Sequence, residues 1–301
     1  MKIIVGDIHA CTAELEELLD KIGFSPDDQV IALGDIFDRG PDNRGILRLF
    51  TENPQFLTLR GNHERKHLLI DEGRCKAALS QLITREELGE DYPGLLSFAR
   101  NLPLYIELDE AILVHGALEP GIPFEKQDEK VLVSSIGGEK YLQKLGRPWY
   151  ESVDFGKPVI FGHKVYETPF IFKNRVYGID TGCYRGGRLT AIVLPDFRIY
   201  SVKAKENYWK KNIDNYKARH PEMFVKKKKD TGLDVEKTYE AITDLADMLK
   251  SETSSRKEFA AEVRKRNLPS VLFSAYDNRL SHELIKKIDV SKLGNLAKYK
   301  D

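Results

Sequence analysis

Ile3-Ile4-Val5-Gly6-Asp7-Ile8-His9, Val30-Ile31-Ala32-Leu33-Gly34-Asp35-Ile36-Phe37-Asp38-Arg39-Gly40 and Phe56-Leu57-Thr58-Leu59-Arg60-Gly61-Asn62-His63-Glu64 share one design. A short apolar run ends in or near glycine, and Asp, Asn or His follows at once. Runs of this length read as buried strands, and the polar residues then fall on the loops where the strands end. The two intervals carry helical spacing. Leu15, Leu18, Leu19 and Ile22 form one stripe, with Thr12 as its N-cap and Gly23 as its stop; Ile46, Leu47 and Phe50 form a shorter one. Strand, helix, strand, helix, strand is the pattern of βαβ units. Right-handed crossovers bring all three strand ends to one edge, where sheet enzymes assemble their sites.

Two later runs repeat the design. Ala111-Ile112-Leu113-Val114 leads into His115-Gly116, and Pro158-Val159-Ile160-Phe161 leads into Gly162-His163. A single histidine after a strand is usually a hydrogen-bonded, half-buried side chain. Here four of the seven histidines follow strands in this way. Carboxylate oxygens and imidazole nitrogens gathered on aligned loops are a donor set for divalent metals.

At these residues the chain resembles the phosphoprotein-phosphatase branch of the calcineurin-like metallophosphoesterases. Gly6-Asp7-Ile8-His9 matches the family's GDxHG, with Ala10 in place of the glycine. Residues 34–40 match GDxxDRG, residues 61–64 are GNHE unchanged, and the HG and GH histidines follow. The likeness runs to about residue 203. Gly178-Ile179-Asp180-Thr181-Gly182-Cys183, with Gly186 to Thr190, looks like bacterial and phage members: diadenosine-tetraphosphate hydrolases, small Ser/Thr phosphatases and the phosphatase module of RNA-repair enzymes.

The resemblance implies an α/β (α+β) fold, a four-layer αββα sandwich of two mixed β-sheets. It also implies two divalent metal ions, Mn²⁺ first and Fe or Zn²⁺ as alternatives. Asp7, His9 and a bridging Asp35 would hold one; Asp35, Asn62, His115 and His163 the other. Two such ions can share a hydroxide that attacks a phosphate ester. Arg39 would grip phosphate oxygens, His63 would protonate the leaving oxygen, and Asp38 would hold the His63 imidazolium. A second phosphate-binding arginine is implied between the HG and GH motifs, and Arg147 is the only arginine there. Glu64 is expected to support the site from beneath, and Asp180 to hydrogen-bond behind it or to serve as a turn residue. Ala10 is expected to be tolerated unless its position needs a positive φ. The activity implied is phosphatase action on phosphate monoesters, phosphoserine and phosphothreonine among them. The same site would serve a bis(5'-nucleosyl)-tetraphosphatase or an RNA-end phosphatase. A catalytically inactive binding module has no physical need for every one of these residues.

The rest of the chain sets bounds. Its 301 residues, 41% hydrophobic, suffice for a catalytic domain over 1–205 and a C-terminal extension over 206–301. No apolar run approaches the ~18–20 residues of a membrane span. The sequence enters a strand at once, with no basic region before a long apolar stretch, so no signal peptide is expected; three widely spaced cysteines argue against a disulfide framework and fit a cytoplasmic location. Segments 65–101 and 117–157 lie between metal motifs and are expected to wall the site, with Gly137-Gly138 as a breaker. Short apolar runs from 158 to 203 read as strands of a second sheet. The overall charge of zero hides a polarity: residues 206–301 hold 21 Lys and Arg against 16 Asp and Glu, net +5, and residues 1–205 are net −5. The extension shows a helical stripe at Val235, Tyr239, Ile242, Ala246 and Leu249 and a capping box at Ser255 and Glu258. It is expected to be helical and basic, wrapping the acidic core or offering a contact to RNA.

Overall fold

The computed structural model describes residues 1–224. In chain order these form β1 (Lys2–Val5), α1 (Thr12–Ile22), β2 (Gln29–Ala32), α2 (Asn43–Glu52), β3 (Phe56–Thr58), α3 (Asn62–Asp71), α4 (Leu79–Leu88) and α5 (Tyr92–Arg100). Then come β4 (Tyr105–Glu107), β5 (Ile112–Val114), α6 (Glu129–Leu132), α7 (Ile136–Gln143), β6 (Val159–Phe161), β7 (Phe170–Phe172) and β8 (Val176–Gly178). β9 (Arg188–Leu194), β10 (Arg198–Lys203), α8 (Tyr208–Arg219) and α9 (Pro221–Phe224) complete them. The helical stripes expected after residue 224 lie outside the described residues.

The strands make two mixed five-stranded sheets, ordered β10-β9-β1-β2-β3 and β4-β5-β6-β8-β7. β1, β2 and β3 pair in parallel, as do β5, β6 and β8. Side-chain alternation along each strand builds the layers. Ile4, Ile31, Ile192 and Leu194 of the first sheet meet Leu113, Ile160 and Tyr177 of the second in a shared core. Their neighbours Ile3, Val5, Val30 and Ala32 face the other way and bury Leu15 and Leu18 of α1, Ile46 and Phe50 of α2, Leu95 of α5 and Tyr208 of α8. Ile112, Val114, Val159 and Phe161 point outward from the second sheet onto Leu118, Leu132 and the aromatic ring of Trp149. This is a four-layer α/β sandwich, with its fourth layer short.

Three expectations are corrected. β9 and β10 join the first sheet, not the second: β9 runs antiparallel to β1, with Ile3 opposite Val193 and Val5 opposite Ala191. Alternation identifies a strand but not its partner. Thr12 is the first residue of α1, not its N-cap; Cys11 occupies that position, and the Thr12 hydroxyl donates to the Asp42 carbonyl. Gly137 and Gly138 lie inside α7 rather than breaking it. The Ser135 hydroxyl accepts from Gly138 N–H, and a Cβ on Gly138 would lie 2.0 Å from the Lys130 carbonyl oxygen. The glycine is there for a close backbone approach. Gly23 does end α1, with φ +80.

Candidate metal centre

The strand ends deliver the expected residues to one place. Asp35 is at its middle, 2% exposed. Its Oδ1 accepts from the His63 backbone N–H at 2.9 Å and lies 3.5 Å from His115 Nε2. Its Oδ2 lies 3.7 Å from His9 Nε2 and 3.9 Å from His63 Nε2. Asp7 Oδ1 accepts from the His163 backbone N–H at 2.9 Å. Asn62 Oδ1 lies 3.0 Å from His115 Nε2 and 2.7 Å from His163 Nδ1. Two clusters of metal-type side chains share Asp35: His9, Asp35 and the expected proton donor His63, and Asp35, His115 and His163; the expected ligand Asp7 is in neither.

The imidazoles are set by what lies behind them. His9 Nδ1–H donates to the Phe37 carbonyl at 2.7 Å, and His115 Nδ1–H to the Leu33 carbonyl at 2.8 Å. Each therefore turns an unprotonated Nε2 toward Asp35, the tautomer a metal ligand needs. Burial, then the Arg39 guanidinium, holds His9 well below the usual histidine range; burial brings His115 down to about 4. His163 Nε2–H donates to Glu139 on α7 at 2.9 Å, leaving Nδ1 facing Asn62. Around Asp35 the second group therefore offers two ring lone pairs, an amide oxygen and a carboxylate: acceptors without a proton between them. A cation is what such a set fits.

The carboxylates point the same way. Burial, then the charges of Asp180 and Asp35, holds Asp7 well above the usual carboxylate range, and burial pushes Asp180 up to about 6. Asp35 itself is opposed by burial, but the surrounding imidazoles outweigh it and hold it low. Beneath, Glu64 Oε2 accepts from Asp35 N–H and Gly61 N–H, and Oε1 from Ile36 N–H. Burial, then the neighbouring Asp35, pushes Glu64 up to about 7.

Beside the cluster, His63 Nδ1–H donates to Asp38 Oδ2 at 2.5 Å. Burial acts to lower the His63 pKa, but Asp35 and Asp38 outweigh it and raise it. Arg39 Nη1 donates to His9 Nε2 at 3.1 Å and its guanidinium lies over the Tyr184 ring. The carbonyls of Arg39 and Gly40 accept from the Asn212 amide of α8. Asp180 Oδ1 accepts from Gly182 N–H. Arg147 is exposed just after α7 and has no hydrogen bond or ion pair to the cluster.

The backbone here is strained. His9, Asp35, Asp38, Arg39 and His163 all have positive φ, between 47° and 71°. Non-glycine residues hold such angles at a cost of about 1–3 kcal/mol each, typically at functional sites. Ala10, at φ +55, does occupy a left-handed position, and it stays fully buried. Gly34 cannot be replaced so simply: its φ is +97, and a Cβ would lie 2.8 Å from Gly61 N.

Sequence reading missed His67, Gln81 and Thr84, which share Asp38 with His63, and Glu139, which holds His163. For His67 a signal exists: it lies one helical turn after His63, on the same face of α3. A third buried group, Cys11, Glu14 and Cys183, lies in the core under α1.

A family model described as calcineurin-like phosphoesterase matches residues 3–181. The chain belongs to the calcineurin-like phosphoesterase family. It is a metal-type phosphoesterase and a hydrolase. Among its relatives is the asymmetrical bis(5'-nucleosyl)-tetraphosphatase PrpE of Oceanobacillus iheyensis, 28% identical over 240 residues, covering 69% of this chain and 94% of that protein. The protein of the same name from Bacillus thuringiensis is 30% identical, covering 66% of this chain and 92% of that protein. A solved phosphoesterase structure, provisionally assigned as a diadenosine tetraphosphatase, superposes with a TM-score of 0.54 at 28% identity, covering 67% of this chain and 93% of its own. No helix among the described residues is long and apolar enough to cross a membrane.

Proposed function

We propose that this phosphoesterase works with two divalent cations, Mn²⁺ first, and that it cleaves dinucleoside tetraphosphates asymmetrically. The observation that carries the two-cation reading is the buried Asp35 shared by two histidine clusters; in the first, His63 is held by Asp38 as the proton donor, and the neighbouring Asp7 completes the ligand set. The relatives' names favour the dinucleoside substrate over the phosphoserine and phosphothreonine esters, which stand second.

Asp7, His9 and Asp35 would hold one ion, and Asp35, Asn62, His115 and His163 the other. The ions supply Lewis acidity toward phosphate oxygens and a nucleophile available at neutral pH. The chain's own groups do the rest. Arg39, at the edge of the cluster, offers a planar fork to the phosphate. Its place over the Tyr184 ring orients that fork. His63, protonated and held by Asp38, gives its Nε2 proton to the leaving oxygen as the P–O bond breaks. Cleavage of the tetraphosphate consumes one water and yields a nucleoside monophosphate and a nucleoside triphosphate.

A panel of diadenosine tetraphosphate, a phosphopeptide and 3′-phosphorylated RNA, assayed with Mn²⁺, tests the substrate. The tetraphosphate should have the highest kcat/KM, with mono- and triphosphate products in equal amounts. Preference for the phosphopeptide would instead support the protein-phosphatase reading. Bound-metal analysis of Asp35→Asn tests the ions. Occupancy of both sites should fall, and activity should drop by orders of magnitude, with the fold intact. Two retained metals and near-normal turnover would rule out a bridging Asp35.

A further inference from the structure

Asp38 has more partners than a carboxylate holding one histidine needs. His63 Nδ1 and Gln81 Nε2 donate to Oδ2; His67 Nε2 and Thr84 Oγ1 donate to Oδ1. Asp38, His67 and Thr84 are each 0% exposed. His67 Nδ1 accepts from the Tyr92 hydroxyl on α5 at 3.1 Å, so the ring hydrogen sits on Nε2, 3.0 Å from Asp38. Burial opposes the charge on Asp38, and His67 is the first of the groups that offset it. No hydrogen bond links His67 to a candidate metal ligand.

A carboxylate turns about a soft terminal torsion. Four donors, two on each oxygen, remove that freedom. Loss of the His67 bond leaves Oδ1 with Thr84 alone, whose hydroxyl also reaches Asn43 Oδ1 at 3.4 Å. The carboxylate could then rotate and take Oδ2 off His63.

We propose that His67 is a positioning residue for proton transfer: by donating to Oδ1 of Asp38 it holds Oδ2 against His63 and keeps the His63 Nε2 proton aimed at the leaving oxygen. The proposal rests on the reading of His63 as the proton donor. One proton moves, from His63 to the leaving oxygen; His67 and Asp38 neither gain nor lose one.

The test is a series of phosphate monoesters from nitrophenyl to alkyl leaving groups, assayed with Mn²⁺. His67→Leu should slow the alkyl ester by about 10-fold, a fraction of the roughly 10²–10⁴-fold worth of a general acid. The nitrophenyl ester should change by less than about 2-fold, because its oxygen leaves without help. His67→Gln, which returns an N–H at the same reach, should recover most of the loss. On an Asp38→Asn background, His67→Leu should add nothing, since it acts only through Asp38. Equal losses across the series, losses additive with Asp38→Asn, or an unchanged alkyl ester would each overturn the role. His63→Ala is the reference arm. If it loses equally on both esters, the proton-donor reading fails and takes this proposal with it. If His63→Ala is leaving-group dependent and His67→Leu is not, the His67 role alone fails. Circular dichroism and bound-metal counts check the fold. Should His67→Leu not fold, Tyr92→Phe carries the test: it frees the His67 ring and should cause a smaller loss of the same pattern, and a flat profile would overturn the role.

Discussion

At the scale of residues, the centre is defined by crowding of like groups. Asp7, Asp35 and Asp180 sit close enough to push one another's ionisation, and the imidazoles around them present lone pairs rather than protons. The linkage has a sign. Asp180 is raised in the folded protein from 3.8 to about 6, so its contribution is full below 3.8 and is lost as pH rises through 6. Asp7 is raised and adds in the same direction. His9 and His115, held low, contribute with the opposite sign over the same range, so the chelated protein's own slope is a balance of the two. The stabilisation added by saturating Mn²⁺ should grow between about pH 4 and 6, because a bound cation favours the ionised carboxylates. Melting curves across that range, with chelator and with metal, check this. Parallel curves would mean that the three carboxylates do not face a cation. The identities of these residues were legible in the sequence because each follows a strand end. Their tautomers and positive φ angles were not, since both depend on carbonyls and contacts supplied by other segments.

At the scale of elements, α7 shows how a misread residue reports on packing. Two adjacent glycines lower helix propensity, and a reading by propensity alone breaks the helix there. Tertiary contact overrides it. Gly138 is buried against the α6 backbone, while a Cβ on Gly137 would meet only ordinary contacts at 3.7 Å and beyond. Gly138→Ala should destabilise by about 1–3 kcal/mol, as overpacking does. It should also weaken metal binding by about 10-fold, by displacing Glu139 from His163. Gly137→Ala should be neutral or stabilising by up to about 1 kcal/mol. Thermal unfolding and metal titration of the pair give the comparison; similar effects at both positions would mean the close approach is absent. The same limit explains β9 and β10. Their alternation marked them as strands, but pairing with β1 is a long-range choice that no local pattern encodes.

At the scale of the whole molecule, residues 1–205 carry a net charge of −5 and residues 206–301 a net charge of +5, and the described residues show why a cut at 205 is costly. α8 is tied to the core: the Tyr208 hydroxyl donates to the fully buried Glu14 at 2.7 Å, Lys205 N–H donates to the same oxygen, and Asn212 supports the Arg39 loop. A fragment ending at residue 224 should keep its fold and small-substrate turnover. One ending at 205 should lose about 1–3 kcal/mol from the buried Glu14 alone, which would be left short of a donor. Denaturant unfolding of the two fragments separates them, and equal stability would mean α8 is dispensable. If residues 225–301 contact RNA, the intact chain should bind it with affinity falling steeply as salt rises, and the 224-residue fragment should not. Salt-insensitive or absent binding by the intact chain would remove that reading.

By itself the sequence determined the strand-loop repeat, the parallel core of the first sheet, the ligand types and the family they belong to. These are carried by short-range order: apolar runs, the residues that end them, and helical spacing between. The tertiary structure alone decided which sheet β9 and β10 join, which nitrogen each histidine presents, that Arg147 stands apart from the cluster, and that His67, Gln81, Thr84 and Glu139 belong to it. Each of those is a contact between segments distant in the chain. Such a contact is selected by the packing of the whole core, and no stretch of sequence holds both of its sides.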